Sequence, residues 1–120
     1  MDKIIKDNFD AHRKQGTRPV EIEGINENLF GELELLNVWR NYRKGLRWKD
    51  GEGNTLMGAV DDMLEKEGKL IVLDYKTRGF PLKKDSAKYY QSQLDIYNLL
   101  LRKNGYDTED YAYLLFYHPK

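Results

Sequence analysis

The stretch that decides the fold is LIVLDYKT, residues 70–77. Its first half is apolar at every position, which is typical of a central strand that is covered on both faces. Asp74 interrupts the apolar run, and a buried carboxylate needs a cation or hydrogen-bond donors to offset its desolvation. Because side chains alternate along a strand, Asp74 and Lys76 share one face. The stretch therefore predicts a core strand that carries an acid and an amine side by side.

The residues before this strand predict a hairpin partner for it. Thr55–Met63 is expected to be the preceding strand, and Glu67-Gly68 fits a two-residue turn. Continued down the strands, that register places Asp61 directly opposite Asp74. A three-residue loop would instead shift Asp61 to a diagonal position or to the other face. The turn length therefore determines whether the two acids meet.

Two facing carboxylates on paired strands repel each other unless something neutralises their charge. A hard divalent ion does so, because Mg²⁺ takes carboxylate oxygens and keeps waters that a phosphate can displace. Such an ion lowers the pKa of a bound water, and a neighbouring lysine can stabilise charge on the phosphate. Asp61, Asp74 and Lys76 thus predict a phosphodiester hydrolysis site. In the plainer alternative, Asp61 caps a turn and Lys76 is a solvent-facing edge residue.

The rest of the chain extends this core in both directions. The spacing of apolar residues and the turn signals predict the element order α, (α), β, β, β, α, β. The expected helices are Asp2–Lys14, Leu29–Tyr42 and Ser86–Asn104; the expected strands are Gly45–Trp48, Thr55–Met63, Leu70–Thr77 and Tyr111–Tyr117. Ser86 is the predicted N-cap of the last helix. The order predicts a mixed α/β (α+β) fold with a small mixed sheet, in one domain over residues 1–120.

Composition excludes several classes of protein. The chain has 120 residues, of which 40% are hydrophobic and 33% charged, so one soluble domain is expected. No apolar run approaches 18 residues, which excludes a membrane span. The chain has no cysteine, and this excludes disulfides, cysteine nucleophiles and cysteine-ligated clusters. The first residues lack a signal-peptide pattern, so the expected location is the cytoplasm.

Charge is balanced overall and uneven locally. Twenty Lys and Arg residues oppose twenty Asp and Glu residues, so binding to a polyanion must rely on local runs. Residues 40–49 contain five cations and no acid, and residues 76–88 contain five cations and one acid. Taken alone, either run is more typical of a solvated face than of a binding surface.

Three motifs follow one another along the chain: Gly58-Ala59-Val60-Asp61, then Asp74-Tyr75-Lys76-Thr77, then Gln93-Leu94-Asp95-Ile96-Tyr97. In this order and spacing they resemble the PD-(D/E)XK nuclease superfamily. More narrowly, they resemble its RecB-like branch, which includes CRISPR-associated exonucleases. The resemblance covers about residues 45–119 and the first helix. It implies a restriction-endonuclease-like α-β-β-β-α-β core.

The resemblance also implies roles for individual residues. Asp61 and Asp74 would be ligands of Mg²⁺ or Mn²⁺, together with the backbone carbonyl of Tyr75. Lys76 would be the catalytic lysine. On the helix after the third strand, Gln93 and Tyr97 would support the active site and contact the nucleic-acid backbone.

Two family features fit this chain less closely. Many RecB-like nucleases bind an iron–sulfur cluster through cysteines, and this chain has none, so no iron–sulfur cluster is expected. Members also usually supply a further metal ligand from an upstream helix. The nearest candidates here are His12 and Asp10.

The leading hypothesis is a Mg²⁺- or Mn²⁺-dependent deoxyribonuclease of low sequence specificity, acting on single- or double-stranded DNA. The cations expected to guide phosphates are Arg78, Lys83, Lys84, Lys88 and Arg47. One alternative is a non-catalytic nucleic-acid-binding module on the same fold. Another is a protein-interaction domain, a homodimer or a part of a larger nuclease complex. Its contact surface would use Trp39, Tyr42, Trp48, Tyr89 and Tyr90.

Overall fold

The computed structural model describes residues 2–41, 43–77 and 84–117. The helices are α1 (Asp2–Gln15), α2 (Leu33–Arg40) and α3 (Lys84–Lys103), and a 3-10 turn spans Val20–Ile22. The strands are β1 (Asn28–Leu29), β2 (Leu46–Lys49), β3 (Thr55–Gly58), β4 (Asp62–Lys66), β5 (Lys69–Thr77) and β6 (Tyr113–Tyr117). Within these described ranges, no helix has the length and apolar character needed to cross a membrane.

The main sheet is mixed and has the strand order β1-β4-β5-β6. Its first two pairings are antiparallel, and the β5–β6 pairing is parallel. A parallel pair needs a long crossover connection, which α3 supplies between β5 and β6. Strands β2 and β3 form a separate two-stranded sheet. This arrangement confirms the predicted mixed α/β class with a restriction-endonuclease-like core.

Strand β5 is covered on both faces, as its apolar run predicts. On one face Val72 joins a core cluster with residues of α2 and α3. On the other face Ile71 packs in a cluster with Ile5 and Phe9 of α1. The sheet therefore lies between α1 on one side and α2 and α3 on the other.

The β4–β5 turn has the predicted length. Glu67 and Gly68 both have positive φ, 52° and 84°, which is what a two-residue turn of the hairpin type requires. The register pairs Lys66 with Lys69 and Asp62 with Leu73. The predicted register is confirmed, and the polar end of β5 therefore lies beside the start of β4.

The single predicted strand over Thr55–Met63 is wrong. The structure divides it into β3 and β4, which belong to different sheets and are separated by residues 59–61. The break has a tertiary cause, because the end of α2 binds the backbone there. The Val60 N–H donates to the Trp39 carbonyl at 3.2 Å, and Arg40 Nε donates to the Asp61 carbonyl at 2.7 Å.

Two helix boundaries also differ from prediction. The second helix begins at Leu33 and not at Leu29, because Asn28–Leu29 pairs with β4 as an edge strand. The third helix already includes Lys84, so Ser86 is its third residue and not its N-cap.

Candidate active site

The structure brings together the two acids that face each other in the predicted register. Asp61 lies one residue before β4, and Asp74 follows Leu73, the last residue of β5 that pairs with β4. Asp61 Oδ2 accepts a hydrogen bond from the Tyr75 N–H at 2.9 Å. The Asp61 carboxyl also hydrogen-bonds to the Asp74 carboxyl, which is itself buried. We call Asp61 and Asp74 the acid pair.

The Asp61 carboxyl holds its proton more tightly than an ordinary carboxyl does. Burial raises the pKa of Asp61 to about 6, and the hydrogen bond to Asp74 and the charge of Asp74 act in the same direction. The Tyr75 N–H and Lys6 oppose this rise in the pKa. Because burial and Asp74 disfavour the ionised form of Asp61, a cation bound beside this carboxylate would offset that cost.

The backbone of Tyr75 adds an oxygen on the same side. Its N–H points toward Asp61, and in an extended strand the N–H and C=O of one residue point to the same edge. The Tyr75 carbonyl therefore lies beyond the last residue pair of the β4–β5 ladder. Within the described ranges, no three His, Cys, Asp or Glu side chains are arranged so that they could hold a metal ion together. The donor set is two carboxylates and one carbonyl, which fits a hard divalent ion.

Lys76 lies in β5 two residues after Asp74, and its register partner in β6 is Phe116. Its side chain lies outside the described residues. Its predicted role therefore rests on its position in the strand and on the sequence.

Helix α3 contributes the two residues of the third motif. Tyr97 is buried in the core, and a Cβ atom at Gly58 would lie 2.8 Å from its Cε1 atom. Glycine at position 58 therefore allows the Tyr97 ring to pack against the chain just before Asp61. Gln93 is half-buried one helical turn earlier, and its Oε1 atom has no hydrogen-bond partner within the described ranges.

The upstream helix presents a lysine to the acid pair. Lys6 Nζ lies 3.6 Å from Asp61 Oδ1. The contact described for His12 is with Thr17, since its Nδ1 atom lies 2.8 Å from the Thr17 hydroxyl. The Asp10 carboxylate is bound by arginines. The structure therefore does not place either candidate ligand of α1 with the acid pair.

The predicted phosphate-guiding cations are only partly described. Arg78, Lys83 and the side chain of Lys84 lie outside the described residues, and Lys88 is exposed on α3. The Arg47 guanidinium donates to the carbonyls of Arg43 and Lys44.

Arg47 and Lys88 lie at different ends of α3. Asn104, just beyond the C-terminal end of that helix, donates to the Arg47 carbonyl at 3.0 Å. Lys88 precedes Asn104 by 16 residues, or about 24 Å along the helix axis. The structure thus does not bring Arg47 and Lys88 together.

A buried ionic network, which no pattern in the sequence predicts, borders the acid pair. Asp62 is fully buried and accepts hydrogen bonds from Arg13, Arg40 and the Tyr75 hydroxyl. The same two arginines donate to the Asp10 carboxylate. The negative charges of the two carboxylates cancel the positive charges of the two guanidinium groups. We call these five residues the arginine network.

The arginine network connects directly to the acid pair. Arg40 holds the Asp61 carbonyl, and the Tyr75 side chain reaches Asp62 while the Tyr75 backbone reaches Asp61. Burial and the Asp62 charge raise the pKa of the Tyr75 phenol, so this hydroxyl remains a donor. Arg40 belongs to the basic run 40–49, but its side chain is nearly buried and already paired.

One signal in the sequence does point toward Asp62. Neighbouring residues of a strand point in different directions, so one cationic side chain is not expected to neutralise both of two consecutive acids. The second acid of Asp61-Asp62 therefore needed cations of its own. Local spacing gives no means of choosing Arg13 and Arg40 as those cations.

The prediction that Trp39 belongs to an exposed contact surface is wrong. Its ring is buried and stacks on Phe30 with 5.5 Å between ring centroids. Trp48 is half-buried, and Lys103 Nζ lies 4.8 Å from its ring centroid. Tyr90 is partly exposed; Tyr42 and the side chain of Tyr89 lie outside the described residues.

The raised pKa of Asp61 makes the stability of the metal-free protein depend on pH. The carboxyl titrates near 3.8 in the unfolded chain and near 6 when folded, so folding is favoured while it is protonated. The Asp61 contribution therefore weakens as pH rises from 4 through 6. Relative to Asp61→Asn, we expect wild type to lose roughly 2 kcal/mol between pH 4 and 7.5. Urea unfolding of both proteins in chelator measures this difference. Parallel pH curves for the two proteins would contradict it.

Comparison with known proteins gives one result that covers almost the whole chain. The family model of the PD-(D/E)XK nuclease superfamily matches residues 2–120. No curated protein and no solved structure matches the chain. The match includes the acid pair, Lys76 and the third motif on α3. The chain therefore belongs to the PD-(D/E)XK nuclease superfamily.

Proposed function

We propose that this protein is a metal-dependent nuclease that hydrolyses DNA phosphodiester bonds with low sequence specificity, in a single domain over residues 1–120. The observation that carries the proposal is the acid pair beside the Tyr75 backbone. Two carboxyl groups this close together and partly removed from water are costly to ionise unless a cation neutralises their charge. Membership of a nuclease superfamily supports the interpretation that this cation is a catalytic metal ion.

The proposed roles follow the positions of the residues. Asp61, Asp74 and the Tyr75 carbonyl would hold Mg²⁺ or Mn²⁺, which supplies Lewis acidity and a water of lowered pKa. Lys76, two residues after Asp74 in β5, would donate to the attacking water or to the phosphate oxygen that gains charge. Gln93 and Tyr97, on the face of α3 next to the active site, would support the active site and contact the nucleic-acid backbone.

The proposed substrate is the sugar–phosphate backbone of DNA. Four of the proposed phosphate-binding cations come soon after β5 in the sequence: Arg78, Lys83, Lys84 and Lys88. The fifth, Arg47, lies in β2 and would contact phosphates from the β2–β3 sheet. Contacts of lysine and arginine with phosphates carry no sequence information by themselves. They also make binding sensitive to salt. We therefore propose backbone recognition without a preferred base.

The test is a cleavage assay on linear, nicked and single-stranded DNA in Mg²⁺, Mn²⁺ or chelator. We expect cleavage with either ion and none in chelator. Lys76→Met should lower the cleavage rate by about a hundredfold or more, as for loss of one donor to transition-state charge. It should leave Mn²⁺ binding intact. The matched control is Lys69→Met, an exposed lysine at the other end of β5. DNA binding without cleavage under every divalent ion would contradict the proposal and support a non-catalytic binding module.

A further inference from the structure

Lys6 is a cation at the acid pair that neither the three motifs nor the proposed roles use. Its ammonium lies 3.6 Å from Asp61 Oδ1, with 29% of the Lys6 side chain and 23% of the Asp61 side chain exposed. The Lys6–Asp61 ion pair is therefore partly accessible to solvent. An anion that approached the acid pair from solvent would meet Lys6.

The backbone of Lys6 is held firmly, while its side chain is free to reorient. Ile5 and Phe9, on the same helix, are buried in the core cluster beneath the sheet, and Arg13 is bound to Asp62. These contacts hold α1 against β5. The ammonium itself sits on a four-carbon stem and is partly exposed, so it can move by several ångströms while the helix stays in place.

We propose that Lys6 is a phosphate-binding residue that exchanges Asp61 for a phosphate of the nucleic-acid strand when a divalent ion binds the acid pair. This inference rests on the proposed function. The Asp61 carboxylate cannot bind an ammonium group and a divalent ion equally well at the same time, because the two cations repel each other. Once Asp61 is engaged by the divalent ion, Lys6 becomes available to a DNA phosphate docked beside the acid pair.

The exchange predicts effects of opposite sign in one variant. Lys6→Gln removes the cation that competes at Asp61, so Mn²⁺ should bind about two- to fivefold more tightly, as expected for a partly exposed ion pair. The same variant loses a phosphate contact, so DNA should bind more weakly. A lysine with a structural role only would not improve one kind of binding while weakening the other.

The decisive measurement is the salt dependence of DNA binding, with and without the ion. In a Lys76→Met background, which suppresses cleavage, fluorescence anisotropy gives the slope of log affinity against log salt for a DNA duplex. With Mn²⁺ present, Lys6→Gln should reduce the magnitude of that slope by about 0.9, the value for one lost phosphate contact. In chelator the slopes should agree, because Lys6 is then paired with Asp61. Lys6→Arg should restore the slope, and Lys14→Gln, an exposed lysine on α1, is the matched control.

The outcomes separate this inference from the proposed function. If wild type binds Mn²⁺ and cleaves DNA while Lys6→Gln keeps its slope in Mn²⁺, only the inference about Lys6 is overturned. An equal loss of slope in Mn²⁺ and in chelator also overturns it, since Lys6 would then contact phosphate without any exchange. If wild type neither binds Mn²⁺ in calorimetry nor cleaves DNA, the proposed function and this inference fail together.

Discussion

Asp74→Asn should abolish metal-dependent cleavage while making the metal-free protein more stable. The substitution keeps the shape of the side chain and removes one of the two charges in the acid pair. Loss of a residue that merely orients a metal ligand costs about 10- to 100-fold, so loss of a ligand should cost at least a hundredfold. Mn²⁺ titration calorimetry should show little or no binding, and gel assays of cleavage should show no product.

The gain in stability separates this result from simple misfolding. Asp74 contributes to the raised pKa of Asp61 through a hydrogen bond and through its charge. Its removal should stabilise the metal-free protein by about 1 kcal/mol at pH 8. The control is Asp110→Asn, because the Asp110 side chain is fully exposed and pairs only loosely with Arg102, at 3.6 Å. Full activity in Asp74→Asn would overturn the assignment of the acid pair.

Asp62→Ala should cause the largest loss of stability. Asp62 is fully buried and balances the charges of Arg13 and Arg40. Removal of one partner from a buried ion pair costs about 3–5 kcal/mol, because the other charge is left uncompensated. Native domains have only about 5–15 kcal/mol in total, so a large part of the stability should disappear. Urea unfolding in chelator measures this loss.

Two comparisons keep this prediction specific to the arginine network. Glu65→Gln, on a half-buried residue of the same strand, should change the free energy of unfolding by less than about 0.5 kcal/mol. Asp10→Asn, on the more exposed acid of the network, should cost less than Asp62→Ala. Mn²⁺ should not restore the stability of Asp62→Ala, because the ion would bind at the acid pair and cannot replace the carboxylate that pairs with Arg13 and Arg40. Near-equal stability of Asp62→Ala and Glu65→Gln would show that Asp62 does not hold the network together.

The acid pair and the arginine network together explain why Asp61 and Asp62 stand next to each other. The first side chain points toward Asp74, and the second points toward α1 and α2. One acid supplies the proposed metal site, and the other anchors two helices behind it. The position of the Asp61 backbone thus depends on a buried ionic network behind the proposed metal site.

Much of the site was predictable because it depends on neighbouring residues. The two positive-φ residues of the Glu67-Gly68 turn set the register of β4 and β5, and that register brings Asp61 beside Asp74. The apolar run 70–73 likewise predicts a strand covered on both faces. Turn geometry and side-chain alternation act within a few residues, so the sequence displays them directly.

The break after β3 could not be predicted in the same way. Residues 55–63 have the composition of one strand, and the chain turns away because α2 binds the Val60 and Asp61 backbone groups. The helical pattern before it was likewise shortened, since Asn28–Leu29 pairs with β4. Both differences come from hydrogen bonds to elements that lie far away in the chain.

By itself, the sequence determined the central strand, its hairpin register, the acid pair and the superfamily motifs. Tertiary structure alone decided the partners of Asp62, the burial of Arg40 and the approach of Lys6 to Asp61. Arg13 and Asp62 are 49 residues apart, and they meet only because α1 packs on the sheet through its apolar face. Local periodicity fixes the direction of a side chain, whereas the packing of whole elements fixes what it meets.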